Sequence, residues 1–396
     1  MYKEKKECNM NQLISAQAKS SNVISKEYLF SILKKEYLLI IAILLASITS
    51  CVSLPSASYI NFKMLITLFN LMVVVAGLRE LKVLDFIATS LLSKCKTSRH
   101  VSATLIFITF FAAMIMTNDV SLLTFIPITL IIAEKVNIKV MKTVMFQTLA
   151  ANLGSSIMPM GNPHNIYIYN LYNINPIEFL KITLPIGIFG VIFLTFLIFN
   201  QKNEKLQFKL EKVEITNKNQ LIFYALLMMV TLLSVFRVID YQIAFIITVL
   251  TILMINKKLF MKVDYSLIIT FIGFFIFIGN ISHMTVVETF MKSILSGGLT
   301  TYFVGIISCQ FISNVPTTIL LSGFTNHYSE LLIATNIGGL GTLIASMANT
   351  ISYRLYVNQH KTETFKYLKV FSIYNFIGLA IFTIIMIVFN FMNISI

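Results

Sequence analysis

Residues 370–392 carry no charged side chain, and neither do residues 37–54 or 221–236. A bilayer-spanning helix needs roughly 20 predominantly apolar residues, so these runs direct the chain toward a membrane fold. The composition agrees, because 57% of the residues are hydrophobic and 12% are charged, against roughly 25% charged in soluble domains. The net charge of +14 (31 Lys and Arg, 17 Asp and Glu) does not indicate nucleic-acid binding. The basic residues sit between apolar runs rather than in a soluble basic domain.

The four cysteines, Cys8, Cys51, Cys95 and Cys309, have neither CxxC spacing nor the pattern of a disulfide framework. Neither a GxxxxGK[ST] nucleotide loop nor an HExxH zinc motif is found. The sequence therefore supports neither ATP hydrolysis by this chain, nor that protease chemistry, nor a bound cofactor. It leaves open a partner ATPase.

Candidate spans fall at about 37–54, 62–78, 140–169, 181–200, 220–236, 241–256, 265–281, 331–353 and 369–392. Two apolar stretches resist this reading. Residues 101–133 are interrupted by Thr117, Asn118 and Asp119, and residues 299–323 by Ser313, Asn314 and Pro316. Either could be a plain crossing or a re-entrant hairpin, and the positive-inside rule separates the two. With both read as hairpins, all of the 31 Lys and Arg except Lys63, Lys181, Arg237 and Lys292 fall on one, cytoplasmic, side. Reading just one of them as a crossing inverts every later loop.

This topology predicts an all-α membrane protein with a cytoplasmic N-terminus in a cell (inner or plasma) membrane. Residues 1–35 form a cytoplasmic tail, too long and too poor in a cleavage motif for a signal peptide. Residues 36–200 form a first half with hairpin 101–133, residues 201–219 a cytoplasmic linker, and residues 220–396 a second half with hairpin 299–323. The two hairpins enter from opposite faces.

Each hairpin precedes a helix with a matching interruption. An offset of 184 residues pairs Asn152 with Asn336, Leu153 with Ile337, Gly154 with Gly338 and Asn165 with Asn349. This is the pattern of an inverted-repeat secondary transporter, which binds its solute where broken helices meet.

The residues at these interruptions are the candidate site. Backbone leaving a helix at membrane depth must be buried in protein or line a watery cavity. A hairpin tip also starts its second half-helix, where side-chain oxygens cap the end while free amides and the helix dipole attract anions. Thr117, Asn118, Ser313, Asn314 and Thr317 are assigned to solute binding on this ground, with Asn162, Asn165 and Asn349 from the broken helices. The same residues could instead cap and pack broken helices without touching a solute.

The stretch 154–165 holds two glycines and two prolines and cannot be continuous helix. The matching stretch around Gly338, Gly339 and Gly341 lacks proline, which predicts a milder break. Carbonyls freed at such breaks can coordinate a cation, so Asn152, Gly154, Asn336 and Gly338 are candidate coupling-ion residues, with close helix packing as the alternative for the glycines. Asp119 is an acid at a mid-membrane tip, suited to Na+ or a proton, or equally to capping the next half-helix. His164 could face the cavity or serve as a local hydrogen-bond partner.

The motifs Thr117-Asn118-Asp119 to Pro127, Asn152-Leu153-Gly154 to Asn165 and Ser313-Asn314-Val315-Pro316-Thr317-Thr318 resemble those of the ion transporter superfamily. That group includes citrate transporter-like anion permeases, divalent anion:sodium symporters and the membrane subunit of arsenical pumps. The resemblance covers most of the chain after about residue 60. It implies tip side chains that bind substrate carboxylates and border Na+ sites, a scaffold with a moving transport domain, and a homodimer. Dicarboxylate symporters carry Ser-Asn-Thr at each tip. Here the first tip gains Asp119 and the second has Val315 in third place, which is closer to the arsenical-pump branch with its neutral solute and proton coupling.

The resulting expectation is a transporter rather than an enzyme, moving a small organic or inorganic anion with H+ or Na+. The rivals are an arsenite or antimonite efflux permease, a Na+/H+ antiporter, and, in another class, a channel or membrane sensor on the same scaffold.

Overall fold

The fold was analysed in a computed structural model that describes residues 36–136, 138–206 and 213–391. The expected tail, 1–35, lies outside the described residues, as does part of the expected linker. Among the described residues the chain is helical, without strands.

The helices are α1 (Tyr37–Ser50), α2 (Phe62–Glu80), α3 (Val83–Leu92), α4 (Ser98–Ile115), α5 (Asn118–Val136), α6 (Met141–Ser155), α7 (Pro163–Leu171), α8 (Pro176–Phe199) and α9 (Lys218–Val235). They continue as α10 (Tyr241–Asn256), α11 (Tyr265–Ser282), α12 (Thr285–Ile294), α13 (Gly298–Ile312), α14 (Asn314–Ser322), α15 (Tyr328–Gly338), α16 (Met347–Gln359) and α17 (Thr364–Phe391). Among the described residues, 7 helical segments are long and apolar enough to cross a membrane. Their starts are set by ordinary capping. The side chains of Asn61, Asn217, Asp240 and Asp264 accept backbone N–H groups at the beginnings of α2, α9, α10 and α11.

One series of elements occurs twice. A long helix, a short helix of 10 residues, a helical hairpin, a broken helix and a final long helix run from α2 to α8 and again from α11 to α17. In each copy the first hairpin arm packs closely on the first part of the broken helix, α4 on α6 and α13 on α15. Glycine makes both approaches feasible. A Cβ on Gly154 would lie 2.2 Å from the Phe110 carbonyl oxygen, and one on Gly338 would lie 2.8 Å from Cys309 Sγ.

Buried apolar side chains form two clusters. One joins the hairpin, broken-helix and terminal helices α4, α5, α6, α8, α13, α15, α16 and α17. The other runs through α1, α2, α3, α9 and α11, reaches α7 and α14, and takes in residues of α4, α5 and α15 as well. The candidate site lies where the hairpin tips and the breaks come together against α1 and α11.

The second break is not the milder one. Helix α6 ends at Ser155 and α7 begins at Pro163, with a 3-10 turn at Pro159–Gly161 between them. Between Gly338 and Met347 no helical turn forms. Proline is therefore not what opens this break. Glycines and side-chain amides from neighbouring helices replace the helical hydrogen bonds, as described below.

Candidate functional site

Both hairpin tips bend at a residue with unusual backbone geometry. Thr117 has φ 45° and Ser313 has φ 74° with ψ 156°. The second is a conformation that side chains other than hydrogen rarely adopt. In each case the next residue, Asn118 or Asn314, begins the return helix. The broken helices match as well. Asn162 (φ −146°, ψ 141°) and Ser346 (φ −144°, ψ 142°) have nearly identical backbone angles and immediately precede α7 and α16.

Four helix N-termini thus converge, those of α5, α14, α7 and α16. They line one pocket, contributed by Asn118 and Asp119 from the first tip, Ser313, Asn314, Val315 and Pro316 from the second, and Asn162, Pro163, Ser346 and Met347 from the breaks. Leu38 of α1 and Leu267, Thr270 and Phe274 of α11 close its remaining wall. The space among these residues, counting the part that opens to solvent, is about 420 Å³. Among the described residues no Lys or Arg lines it, and the one charged residue in the lining is Asp119, whose Oδ1 is buried without a hydrogen-bond partner.

Behind the pocket the asparagines form a lattice with two-fold character. Asn152 donates through Nδ2 to Asn349 Oδ1 at 2.8 Å, and Asn336 donates through Nδ2 to Asn165 Oδ1 at 2.8 Å. Each bond is the other's image under the 184-residue offset. Asn349 Nδ2 also donates to the carbonyls of Gly339 and Thr342, both at 2.9 Å. Asn165 Nδ2 donates to the corresponding carbonyls of Ser155 (3.1 Å) and Met158 (3.5 Å). Each of these two asparagines thus pins the loop of its own broken helix while holding the other half. The first tip joins the lattice when Asn118 Nδ2 donates to Asn152 Oδ1 (3.2 Å) and Ser346 Oγ (3.4 Å). The second tip docks through its backbone, Asn314 N donating to the Ala345 carbonyl at 2.9 Å.

Asn118, Asp119, Asn162, Ser313 and Asn314 therefore face the pocket, whereas Asn152, Asn165, Asn336 and Asn349 stand behind it. Thr117 forms the bend of its tip. Thr317 is fully buried, and its Oγ1 is without a hydrogen-bond partner. His164 is fully buried next to Asn165 and outside the pocket lining. Sequence reasoning missed Ser346, the partner of Asn162, because the two residues differ in type. It also missed the wall from α1 and α11, whose apolar residues look like any lipid-facing span. Among the described residues no group of three or more His, Cys, Asp or Glu is placed to hold a metal ion.

A family model described as citrate transporter matches residues 28–327, three quarters of the chain and inclusive of both hairpins and the first break. This chain belongs to the citrate transporter family. An uncharacterized transporter of Methanocaldococcus jannaschii is 36% identical to this family member over 300 residues, covering 75% of this chain and 81% of the relative. Inner membrane protein YbiR of Escherichia coli is 26% identical over 319 residues, covering 76% and 82%. The putative transporter arsB of Dictyostelium discoideum is 29% identical over 171 residues, 40% of this chain and 30% of that protein. With its many apolar helices, this citrate transporter family member is a multi-pass membrane transporter of the ion transporter superfamily.

Proposed function

We propose that the chain is a secondary active transporter of a small anion, driven by an H+ or Na+ gradient in a cell (inner or plasma) membrane. One observation carries this reading, the convergence of four helix N-termini on a pocket between two hairpin tips. Free N–H groups and the positive ends of four helix dipoles supply an anion site without a basic side chain. Asp119 introduces a negative charge into the same pocket, so that a proton or Na+ taken up there offsets its repulsion of the anion and ties the two movements together. The family name makes carboxylates of the citrate and succinate type the first candidates. The Lys and Arg distribution supports hairpins that dip into the bilayer from opposite faces and a cytoplasmic N-terminus.

A second reading is favoured by the absence of Lys and Arg from the described lining of the pocket together with the presence of Asp119. Such a site also suits a neutral oxyacid such as arsenite, and one relative bears the name arsB.

Proteoliposomes containing the purified chain are given labelled citrate, succinate, sulfate or phosphate under imposed H+ or Na+ gradients. The expected result is accumulation of one of them above equilibrium, lost in Asn118→Ala and in Asn314→Ala. Arsenite protection of a sensitive strain without anion accumulation would favour the second reading. Downhill flux alone would indicate a channel, and transport undiminished in both variants would remove the tips from the site.

A further inference from the structure

The two broken helices are related by repeat, yet their freed carbonyls are treated differently. In the second break Gln310, near the end of α13, reaches across to the loop. Its Nε2 donates to the carbonyls of Gly338 at 2.9 Å and Leu340 at 3.2 Å, and also lies 3.2 Å from the Ile306 carbonyl one turn back. Its Oε1 accepts from the Thr342 backbone N–H at 3.0 Å, and Thr342 Oγ1 donates to the Gln310 carbonyl at 2.9 Å. Carbonyls at one end and an N–H at the other fix which end of the amide is nitrogen.

The loop is shaped to receive this amide. Gly341 has φ +103°, and a Cβ there would stand 2.2 Å from Gln310 Oε1. With Asn349 holding the Gly339 and Thr342 carbonyls, the oxygens of Gly338, Gly339, Leu340 and Thr342 all have side-chain donors.

The first half has no amide at that place, and its loop is held by other donors. Thr183 Oγ1 donates to the Ile157 carbonyl at 3.0 Å, Asn165 Nδ2 to those of Ser155 and Met158, and the Gly154 carbonyl accepts the Ile157 N–H at 3.2 Å. The spacing that pairs Thr117 with Ser313 and Asn118 with Asn314 puts Met114 at the place of Gln310. A thioether has no N–H to give. The same spacing puts Asp119, with its unpartnered Oδ1, opposite Val315. The half that lacks the amide donor is therefore the half that carries the negative charge.

Carbonyls collected at an unwound helix are the usual seat of a coupling cation in inverted-repeat transporters. The NH2 end of an amide presents those oxygens with the same sign of charge as a cation. We propose that Gln310 is a built-in substitute for a cation in the second half, and that the coupling cation is taken up in the first half alone, beside Asp119. This assignment rests on the transporter reading above, since it locates the ion of that cycle.

The test is the thermal stability of the full chain in detergent, compared in NaCl, LiCl and choline chloride at equal ionic strength. Gln310→Glu turns the donor into an acceptor facing the Gly338 and Leu340 oxygens, an arrangement that needs a cation between them. Gln310→Met reproduces the first half. Both variants are expected to melt several degrees higher in NaCl or LiCl than in choline chloride, a larger salt-specific gain than the wild type shows. Two folded variants with no more cation response than the wild type would overturn the proposal. So would failure of both to fold in every salt, which would make the amide purely architectural. The melting experiment needs no transported solute. Absence of concentrative uptake by the wild type would count against the transporter reading alone, whereas uptake that stays Asp119-dependent beside cation-indifferent Gln310 variants would remove the Gln310 assignment alone.

Discussion

The asparagine lattice yields a quantitative ranking of two substitutions that look equivalent in the sequence. Asn349→Ala deletes three hydrogen bonds, to the Gly339 carbonyl, to the Thr342 carbonyl and from Asn152 Nδ2. The Thr342 carbonyl keeps a bond from Ala345 N at 3.3 Å, so two buried groups are stranded, the Gly339 oxygen and Asn152 Nδ2. A buried polar group left without a partner costs about 1–3 kcal/mol, which places the loss at about 2–6 kcal/mol. Water entering the space vacated beside the pocket pulls this toward the lower half, about 3 kcal/mol.

Asn165→Ala deletes the corresponding bonds with a smaller consequence. The Met158 carbonyl still accepts from Gly161 N, and Asn336 Nδ2 still donates to the Leu332 carbonyl at 2.9 Å. Only the Ser155 carbonyl is left without a donor, so the cost is about 1–2 kcal/mol. At roughly 2 °C per kcal/mol, Asn349→Ala should lower the melting temperature by about 6 °C and Asn165→Ala by half of that or less. A thiol-reactive dye reads the transition, because Cys309 is fully buried in the fold and becomes reactive on unfolding. The double variant Asn152→Ala/Asn349→Ala should cost less than the sum of its parts, since one bond is shared. Asn165→Ala proving the more damaging, or Asn349→Ala melting within about 1 °C of the wild type, would refute this account of the lattice.

Three further perturbations follow from the same geometry. Gly154→Ala drives a Cβ to 2.2 Å from a backbone oxygen that no rotamer change can move, whereas Gly338→Ala meets Cys309 at 2.8 Å from Sγ and 2.9 Å from Cβ, a smaller overlap that a slight helix shift relieves; size-exclusion profiles should show the first more poorly folded than the second, and the opposite order would contradict the packing. Ser313→Gly releases a strained backbone worth about 1–3 kcal/mol against the roughly 0.5–1 kcal/mol that glycine loses in chain entropy, so it should melt higher than the wild type; no gain would mean the tip is unstrained. Asp119→Asn removes an unpartnered carboxylate, so uptake in proteoliposomes should lose its dependence on the imposed H+ or Na+ gradient while the melting temperature holds or rises; a wild-type coupling ratio would exclude Asp119 as the coupling group.

Much of the fold was legible because hydrocarbon permits so few alternatives. Apolar run length marked most of the long helices, and polar knots inside apolar stretches marked the tips, since neither feature survives in lipid without a structural reason. The 184-residue offset was visible because Asn152, Gly154 and Asn165 recur as the same residue types, and the reason they recur is now physical. Both members of each donor–acceptor pair must be asparagine for Asn152 to bond Asn349 while Asn336 bonds Asn165. What the sequence hid was equivalence by position without identity. Asn162 and Ser346 share backbone angles but not side chains, and Gln310 differs from Met114 in being able to bond the loop. The second break reads as mild in the sequence when proline is ranked above glycine as a breaker, whereas Gln310 and Asn349, the latter eight residues beyond Gly341, satisfy the loop through tertiary hydrogen bonds. Short helices such as α12 were lost for the opposite reason, being amphipathic and too short to register as spans.

The proposed site, made of helix ends rather than basic side chains, would also set the strength of binding. Each helix N-terminus contributes about 0.3–1 kcal/mol to an anion, and up to ~2 kcal/mol when partly buried. Four of them, reduced by the repulsion of an ionised Asp119, give on the order of 4 kcal/mol, which corresponds to a dissociation constant near 1 mM. On the proposed coupling, neutralising Asp119 with a proton or Na+ would remove the repulsion and tighten binding, and losing that cation on the far side would loosen it again. A lysine or arginine in the pocket would have added a charge-assisted bond that persists on both sides of the membrane, slowing release. Equilibrium binding of the transported anion should therefore be weak without the coupling ion and at least tenfold tighter with it, a shift of about 1.4 kcal/mol. Affinity indifferent to H+ and Na+ would break the link between the charge on Asp119 and the solute.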